Sequence, residues 1–176
     1  ARFAGSDMVA LLLEITILTV NEADDAGWTP LHYVSYLGRK DVVELLLQRR
    51  AQIDLQNTHL RTPLHIAVEL HYTEIVDLFF ENGSSVNVED KIGHTPFHMA
   101  VYYGFTDIVE RFLNKAACVN IASREKSQTP LHYAVGFGHT DIIELLLKNG
   151  ASIDVQDKNG NTPLHWASRK GRQDIV

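Results

Sequence analysis

Nine histidines in a chain of 176 residues are the side chains best equipped for chemistry here. Imidazole can ligate zinc, carry protons or activate a nucleophile. Five of them, His32, His65, His98, His132 and His165, each close a Thr-Pro-Leu-His or Thr-Pro-Phe-His tetrapeptide. These lie at 29–32, 62–65, 95–98, 129–132 and 162–165, with spacings of 33, 33, 34 and 33 residues. Units of that length, stacked, hold equivalent imidazoles about 10 Å apart, too far to share one zinc ion at bonds of about 2 Å. The other four, His59, His71, His94 and His139, form no H-x-x-x-H pair and have no cysteine pair beside them. No G-x-S-x-G, phosphate-binding glycine loop or H-E-x-x-H is present either. The sequence therefore points away from an enzyme and calls for no metal and no cofactor.

The regular spacing shifts attention to the elements that carry these histidines. In residues 24–56, Gly27 marks a turn where positive φ is cheap only for glycine. Thr29 then has the side chain of an N-cap, and Pro30 falls at the first helical position, where a missing N–H costs nothing. Leu31 and Val34 give a short helix its apolar face, and Gly38 ends it. A second helix follows, with Val42, Val43, Leu45, Leu46 and Leu47 apolar and Asp41 and Glu44 facing out. Neither helix is long enough to be stable alone, and one pair leaves apolar surface uncovered. Stacking the pairs buries it, which is why the unit repeats.

Composition agrees. The chain is 45% hydrophobic and 22% charged, as in soluble globular proteins. A net charge of −6 argues against a general binder of phosphate backbones. The single cysteine, Cys118, permits no internal disulfide, fits a reducing compartment and reads as a small, partly buried side chain. The longest apolar run, Ala10 to Val20, is too short to span a bilayer and is interrupted by Glu14.

The segments TPLHIA (62–67), TPFHMA (95–100), TPLHYA (129–134) and TPLHWA (162–167), with TPLHYV (29–34) one residue away, resemble the ankyrin-repeat family. So do the second-helix runs DVVELLL, EIVDLFF, DIVERFL and DIIELLL and the loop ends QIDLQN, SVNVED, CVNIAS and SIDVQD. The resemblance implies an all-α fold: an ankyrin-repeat solenoid of stacked helix-turn-helix units with β-turn-type loops. It divides the single array of residues 1–176 into a partial repeat at 1–23, full repeats at 24–56, 57–89, 90–123 and 124–156, and a partial repeat at 157–176. In those terms the first segment is a second helix and loop, 157–176 breaks off as its second helix begins, and a longer array is expected. The family further implies that the TPLH imidazoles hydrogen-bond across repeat boundaries as structural groups.

Departures from the pattern carry information. The turn glycine becomes Leu60 and Ser127, the inter-helix glycine becomes His71, and the glycine after the second helix becomes Arg50 and Ala116. A left-handed backbone at Leu60 costs on the order of 1 kcal/mol. Ser123 or a neighbour is the inserted residue of the 34-residue spacing, and residues 57–123 are expected to be less regular than the last full repeat. Asn82 heads a glycosylation sequon, and Asn87 and Asn120 sit where the family's asparagines are hydroxylated. All three read as unmodified structural residues.

The resemblance also implies a function: recognition of a protein partner by the loop tips and late first-helix positions that line a concave surface. Carried over residue by residue, the candidates are Trp28, Tyr36, His59, Arg61, His94, Tyr102, Tyr103, Phe137 and Arg169. Tyr33, Tyr133 and Trp166, one helical turn nearer the motif, are assigned to packing. The expected counterpart is a protein or other domains of the parent chain, with no nucleic acid, membrane or small molecule, in a cytoplasmic setting. The competing reading is a structural spacer array inside a larger protein such as a channel, toxin or secreted effector.

Overall fold

A computed structural model describes residues 20–171 of the chain. The expected second helix within 1–23 and the start of another after Gly171 lie outside the described residues. The described residues form helix pairs with no strand. They are α1 (Pro30–Tyr36) with α2 (Lys40–Gln48), α3 (Pro63–Glu69) with α4 (Thr73–Glu81), α5 (Pro96–Tyr103) with α6 (Thr106–Asn114), α7 (Pro130–Phe137) with α8 (Thr140–Lys148), and then α9 (Pro163–Lys170). The all-α repeat architecture expected from the sequence is present. The chain divides into two compact units, Ala1–Ser85 and Val86–Val176.

Each first helix starts as its sequence dictates. Thr29, Thr62, Thr95, Thr129 and Thr162 are extended N-caps, with a proline at the first helical position after each. The histidine two residues after each proline closes a reciprocal cap with the threonine. Capping of this kind is worth about 1 kcal/mol per helix. The second helices have no side-chain cap and rely on packing. Their apolar stripes, Val42, Val43 and Leu46 in α2 and Ile108, Val109 and Phe112 in α6, are buried. In the first unit α1 packs on α2 and α3, and α2 on α4. In the second, α5 packs on α6 and α7, α7 on α8 and α9, and α6 on α8.

All five residues that replace a repeat glycine adopt left-handed φ: Arg50 at 62°, Leu60 at 58°, His71 at 56°, Ala116 at 56° and Ser127 at 54°. The substitutions therefore keep the shape of the turn and store strain in it. Within 57–123 the departures are the left-handed Leu60, His71 and Ala116, and the one turn of different length lies at the end of that stretch, running into the last full repeat. Four turns close by a backbone bond four residues long, from Asp24 to Trp28, Asn57 to Arg61, Asp90 to His94 and Asp157 to Asn161. The fifth runs five residues, from Ser123 to Gln128. Ser123 holds the position of the Asp or Asn, its Oγ accepting from the Gln128 N–H as those carboxylates and amides accept in the other turns. The insertion thus sits after Ser123, within 124–127.

Candidate partner-binding face

Three of the TPLH histidines, His32, His98 and His132, are consumed by structure. In α1, the Thr29 N–H donates to His32 Nδ1 at 3.2 Å, which leaves the proton of a neutral ring on Nε2. That Nε2–H donates to the Arg61 carbonyl of the following repeat at 2.9 Å. In the second unit His132 Nε2 reaches the Asn161 carbonyl at 3.0 Å, and His98 Nε2 the Ile121 carbonyl at 3.0 Å. Burial pushes all three pKa values down, His98 to about 4 with His94 adding to the effect. With both ring nitrogens engaged and the cation disfavoured, none can act as a general base or metal ligand. Among the described residues no cluster of three or more His, Cys, Asp or Glu is placed to hold a metal ion. An apolar cleft of about 310 Å³ between α7, α8 and α9, lined by Leu131, Val135 and Leu164 among others, contains Asp154 as its one titratable group.

The proposed contact residues fall into separate groups. In the first unit Trp28 is half-buried and its ring lies 5.9 Å from that of Tyr36, edge-on. Tyr36 is exposed at the end of α1, with Leu37 exposed beside it. His59 is exposed at the tip of the next turn, and that tip is tied to the first by the Thr58 N–H donating to the Ala26 carbonyl at 3.0 Å. Arg61 is half-buried and paired with Glu69 at 2.6 Å, so its charge is already engaged.

In the second unit the aromatics form one connected set. Tyr102 lies 5.1 Å from Tyr103 and 4.6 Å from Phe137, both edge-on, and each of the three is 40–45% exposed. His94 joins them through Tyr133. Its Nε2 is 2.7 Å from the Tyr133 hydroxyl, and the Tyr133 ring lies 6.2 Å from Tyr102. Burial lowers the His94 pKa, opposed by Asp90 and reinforced by Lys126. Arg169 stands apart, exposed on α9 beside Leu164 and His165.

Two assignments change. Tyr33 is less covered than expected: its ring packs 5.1 Å from that of Trp28, but it is 46% exposed and its hydroxyl donates to Asp24 Oδ2 at 2.5 Å. Cys118 is exposed, not partly buried. Tyr133 is buried as expected, and Trp166 is half-buried, with its indole N–H donating to Asp157 Oδ2 at 3.1 Å. Asn120 is a structural residue: it accepts from the Ser152 N–H at 2.8 Å and donates to the Gly150 carbonyl. Ser84 of the sequon is buried against Asp54, and the Asn82 amide donates to the Leu78 carbonyl.

This geometry, with reciprocal Thr–His caps, carbonyl clips between repeats and exposed first-helix ends, is that of an ankyrin array, and the chain belongs to the ankyrin-repeat family. The family described as ankyrin repeats (3 copies) matches residues 1–57, 64–157 and 119–176. It is a family of protein–protein interaction modules. The chain is similar to the scaffold protein ILK of Homo sapiens, 39% identical over 56 residues, or 32% of this chain and 12% of that protein. It is also similar to the SMC5-SMC6 complex localization factor protein 1 of Bos taurus, 41% identical over 49 residues, 28% of this chain and 5% of the relative. The matched stretches thus span a small part of either relative. Among the described residues no helix is long and apolar enough to cross a membrane.

Proposed function

We propose that this chain is a non-catalytic recognition module that binds a protein partner through its turn tips and the ends of its first helices. The observation that carries this reading is the connected, 40–45% exposed set Tyr102, Tyr103 and Phe137. Large aromatics left open on a rigid frame are the side chains that dominate binding hot spots. The frame is fixed before binding by caps and clips, so little ordering entropy opposes association. Three of the imidazoles that could have done chemistry, His32, His98 and His132, are locked in that frame, which supports a binding role over a catalytic one. A cytoplasmic setting goes with this reading, supported by the single cysteine and the fold's independence of disulfides.

The test is a pull-down from a cell lysate with the intact chain, with folding of every variant checked by circular dichroism. A protein captured by the wild type and by a Glu110→Lys/Glu144→Lys control on α6 and α8 should be lost by Tyr36→Ala/Tyr102→Ala/Tyr103→Ala. Capture that survives the aromatic variant, or fails with the control, removes this face from the function and puts the spacer reading first.

A further inference from the structure

We infer that the aromatic face of the second unit is a receptor for an extended acidic peptide segment carrying a bulky apolar anchor. This rests on the recognition reading above and names its ligand.

The floor of the face is apolar. Tyr102, Tyr103 and Phe137 present ring faces and edges to solvent while touching one another. Beside them is a shelf made by a missing side chain. Where α5 has Tyr102 and α9 has Arg169, α7 has Gly136. A Cβ there would lie 2.7 Å from Trp166 Cε3, so the absence of one is what lets the indole lean over α7. A bulky apolar side chain laid on this floor is desolvated on one side by rings and needs no rearrangement of the frame.

The rim is cationic. The three turns 90–94, 123–128 and 157–161 are neighbours: Gly93 lies against Arg124, and the Lys158 N–H donates to the Lys126 carbonyl at 2.9 Å. Their exposed tips carry Lys91, Lys126 and Lys158, none of them engaged in an ion pair among the described residues. His94 closes the same 90–94 turn that carries Lys91 and meets the Tyr133 hydroxyl at 2.7 Å, so rim and floor adjoin. The carboxylates nearby are mostly occupied. Asp90 and Asp157 are buried and accept backbone N–H bonds in their own turns, and Glu89 pairs with Arg124. Glu125 is the one acid exposed on these turns. A cationic edge on a chain of net charge −6 attracts carboxylates locally and repels a long phosphate backbone overall. That contrast favours an acidic peptide over a nucleic acid.

The experiment is a selection of random peptides of about 12 residues, displayed on phage, against the intact chain. That length, extended at ~3.3 Å per residue, spans three first helices packed about 10 Å apart. Selections run in parallel on the wild type, Tyr102→Ala/Phe137→Ala and Lys126→Glu/Lys158→Glu, with a mixed-sequence single-stranded DNA as competitor. The expected result is a wild-type pool enriched in Asp and Glu around a Trp, Phe or Leu. Representative peptides should bind the aromatic variant and the charge-reversed variant about tenfold or more weakly. A pool that depends on Tyr102 and Phe137 but is neutral or basic overturns the acidic ligand and leaves the recognition reading standing. A pool indifferent to Tyr102 and Phe137, or no enriched pool at all, overturns both. Full displacement by the DNA overturns the choice of ligand class.

Discussion

The two units are written from one repeat, yet they meet its demand for left-handed joints with different residues. Of the left-handed joints described in the first unit, Gly27, Gly38 and Gly83 are glycine, whereas Arg50, Leu60 and His71 are not. In the second unit glycine serves at six such joints and is replaced at two, Ala116 and Ser127. A side chain in that conformation costs roughly 1 kcal/mol, so the first unit carries more stored strain per repeat. The same two stretches also differ at their turn tips. The first unit shows Asp24 and Asp25 to solvent, and the second shows Lys91, Lys126 and Lys158. What the units share is the buried clip of threonine and histidine. The repeat thus protects its clip and lets joints and tips vary, and the varying tips are the part that the proposed recognition uses.

The clip should be the most costly feature to break. Replacing His98, buried on all sides, by Ala removes both cap and carbonyl bonds and opens a cavity, for an expected loss of about 2–4 kcal/mol. His165 makes the same threonine contacts in an exposed setting, and His165→Ala should cost about 1 kcal/mol or less. Urea denaturation of both variants measures the contrast. Equal losses at the two sites would mean that cap geometry alone, not burial, gives the clip its strength.

The buried clip also sets a pH dependence. His98 in the folded chain has its pKa lowered from 6.5 to about 4, chiefly by burial. Between those values the unfolded chain takes up a proton that the folded chain refuses, so stability is full above about 6.5 and falls as pH drops toward 4. The loss at this site over that window is about 3 kcal/mol, and the lowered His32 and His132 act in the same direction. Urea midpoints between pH 7.5 and 4.5 should therefore decline steadily, and the His98 Cε1–H resonance should not titrate until well below pH 6. A titration of that resonance near 6.5 would mean that the ring is hydrated.

Relieving the joints is the next smaller effect. Leu60→Gly and Ser127→Gly keep their turn bonds and remove the left-handed strain, against the greater freedom glycine gives the unfolded chain. Each should gain about 0.5–1 kcal/mol in urea denaturation. The reverse change, Gly93→Leu, should lose well over that amount, because a Cβ at Gly93 would lie 2.5 Å from the Arg124 backbone nitrogen. If Leu60→Gly brings no gain, the leucine, 40% exposed, contributes contacts that offset its strain.

Most of the fold was legible because its signals are local and periodic. Thr29, Pro30 and the apolar stripe of α2 each specify their element within a few residues, and the repetition multiplies the evidence. The candidate site was legible only as positions. Tyr36, Tyr102 and Phe137 are exposed where the repeat phase puts them, but the sequence does not say that Tyr102 and Phe137 touch while Arg169 stands apart. That depends on which neighbour packs against each ring. Tyr33 and Tyr133 show the limit plainly: the same residue type at the same repeat position is 46% exposed in one unit and 4% in the other. Tyr133 is covered by His94 and Tyr102, whereas Tyr33 turns to Asp24 at the surface.

That pair supplies the finest test. The Asp24 carboxyl is held below its usual range first by the Tyr33 hydroxyl and then by the Trp28 N–H, with Ala26 assisting. Tyr33→Phe removes the leading contribution and leaves the backbone bonds, so the Asp24 pKa should rise part of the way to its ordinary value in an NMR titration. The pair is on the surface, and an exposed contact of this kind is worth little in stability, so the melting temperature should not move measurably. Tyr133→Phe should behave differently, since it removes a hydroxyl that His94 Nε2 meets at 2.7 Å in a covered site. There the change should appear in the titration of His94 and in the melting temperature together. If Tyr33→Phe also lowers the melting temperature, the first unit's turn is held by its tyrosine as the second unit's is, and the two faces are more alike than their exposure implies.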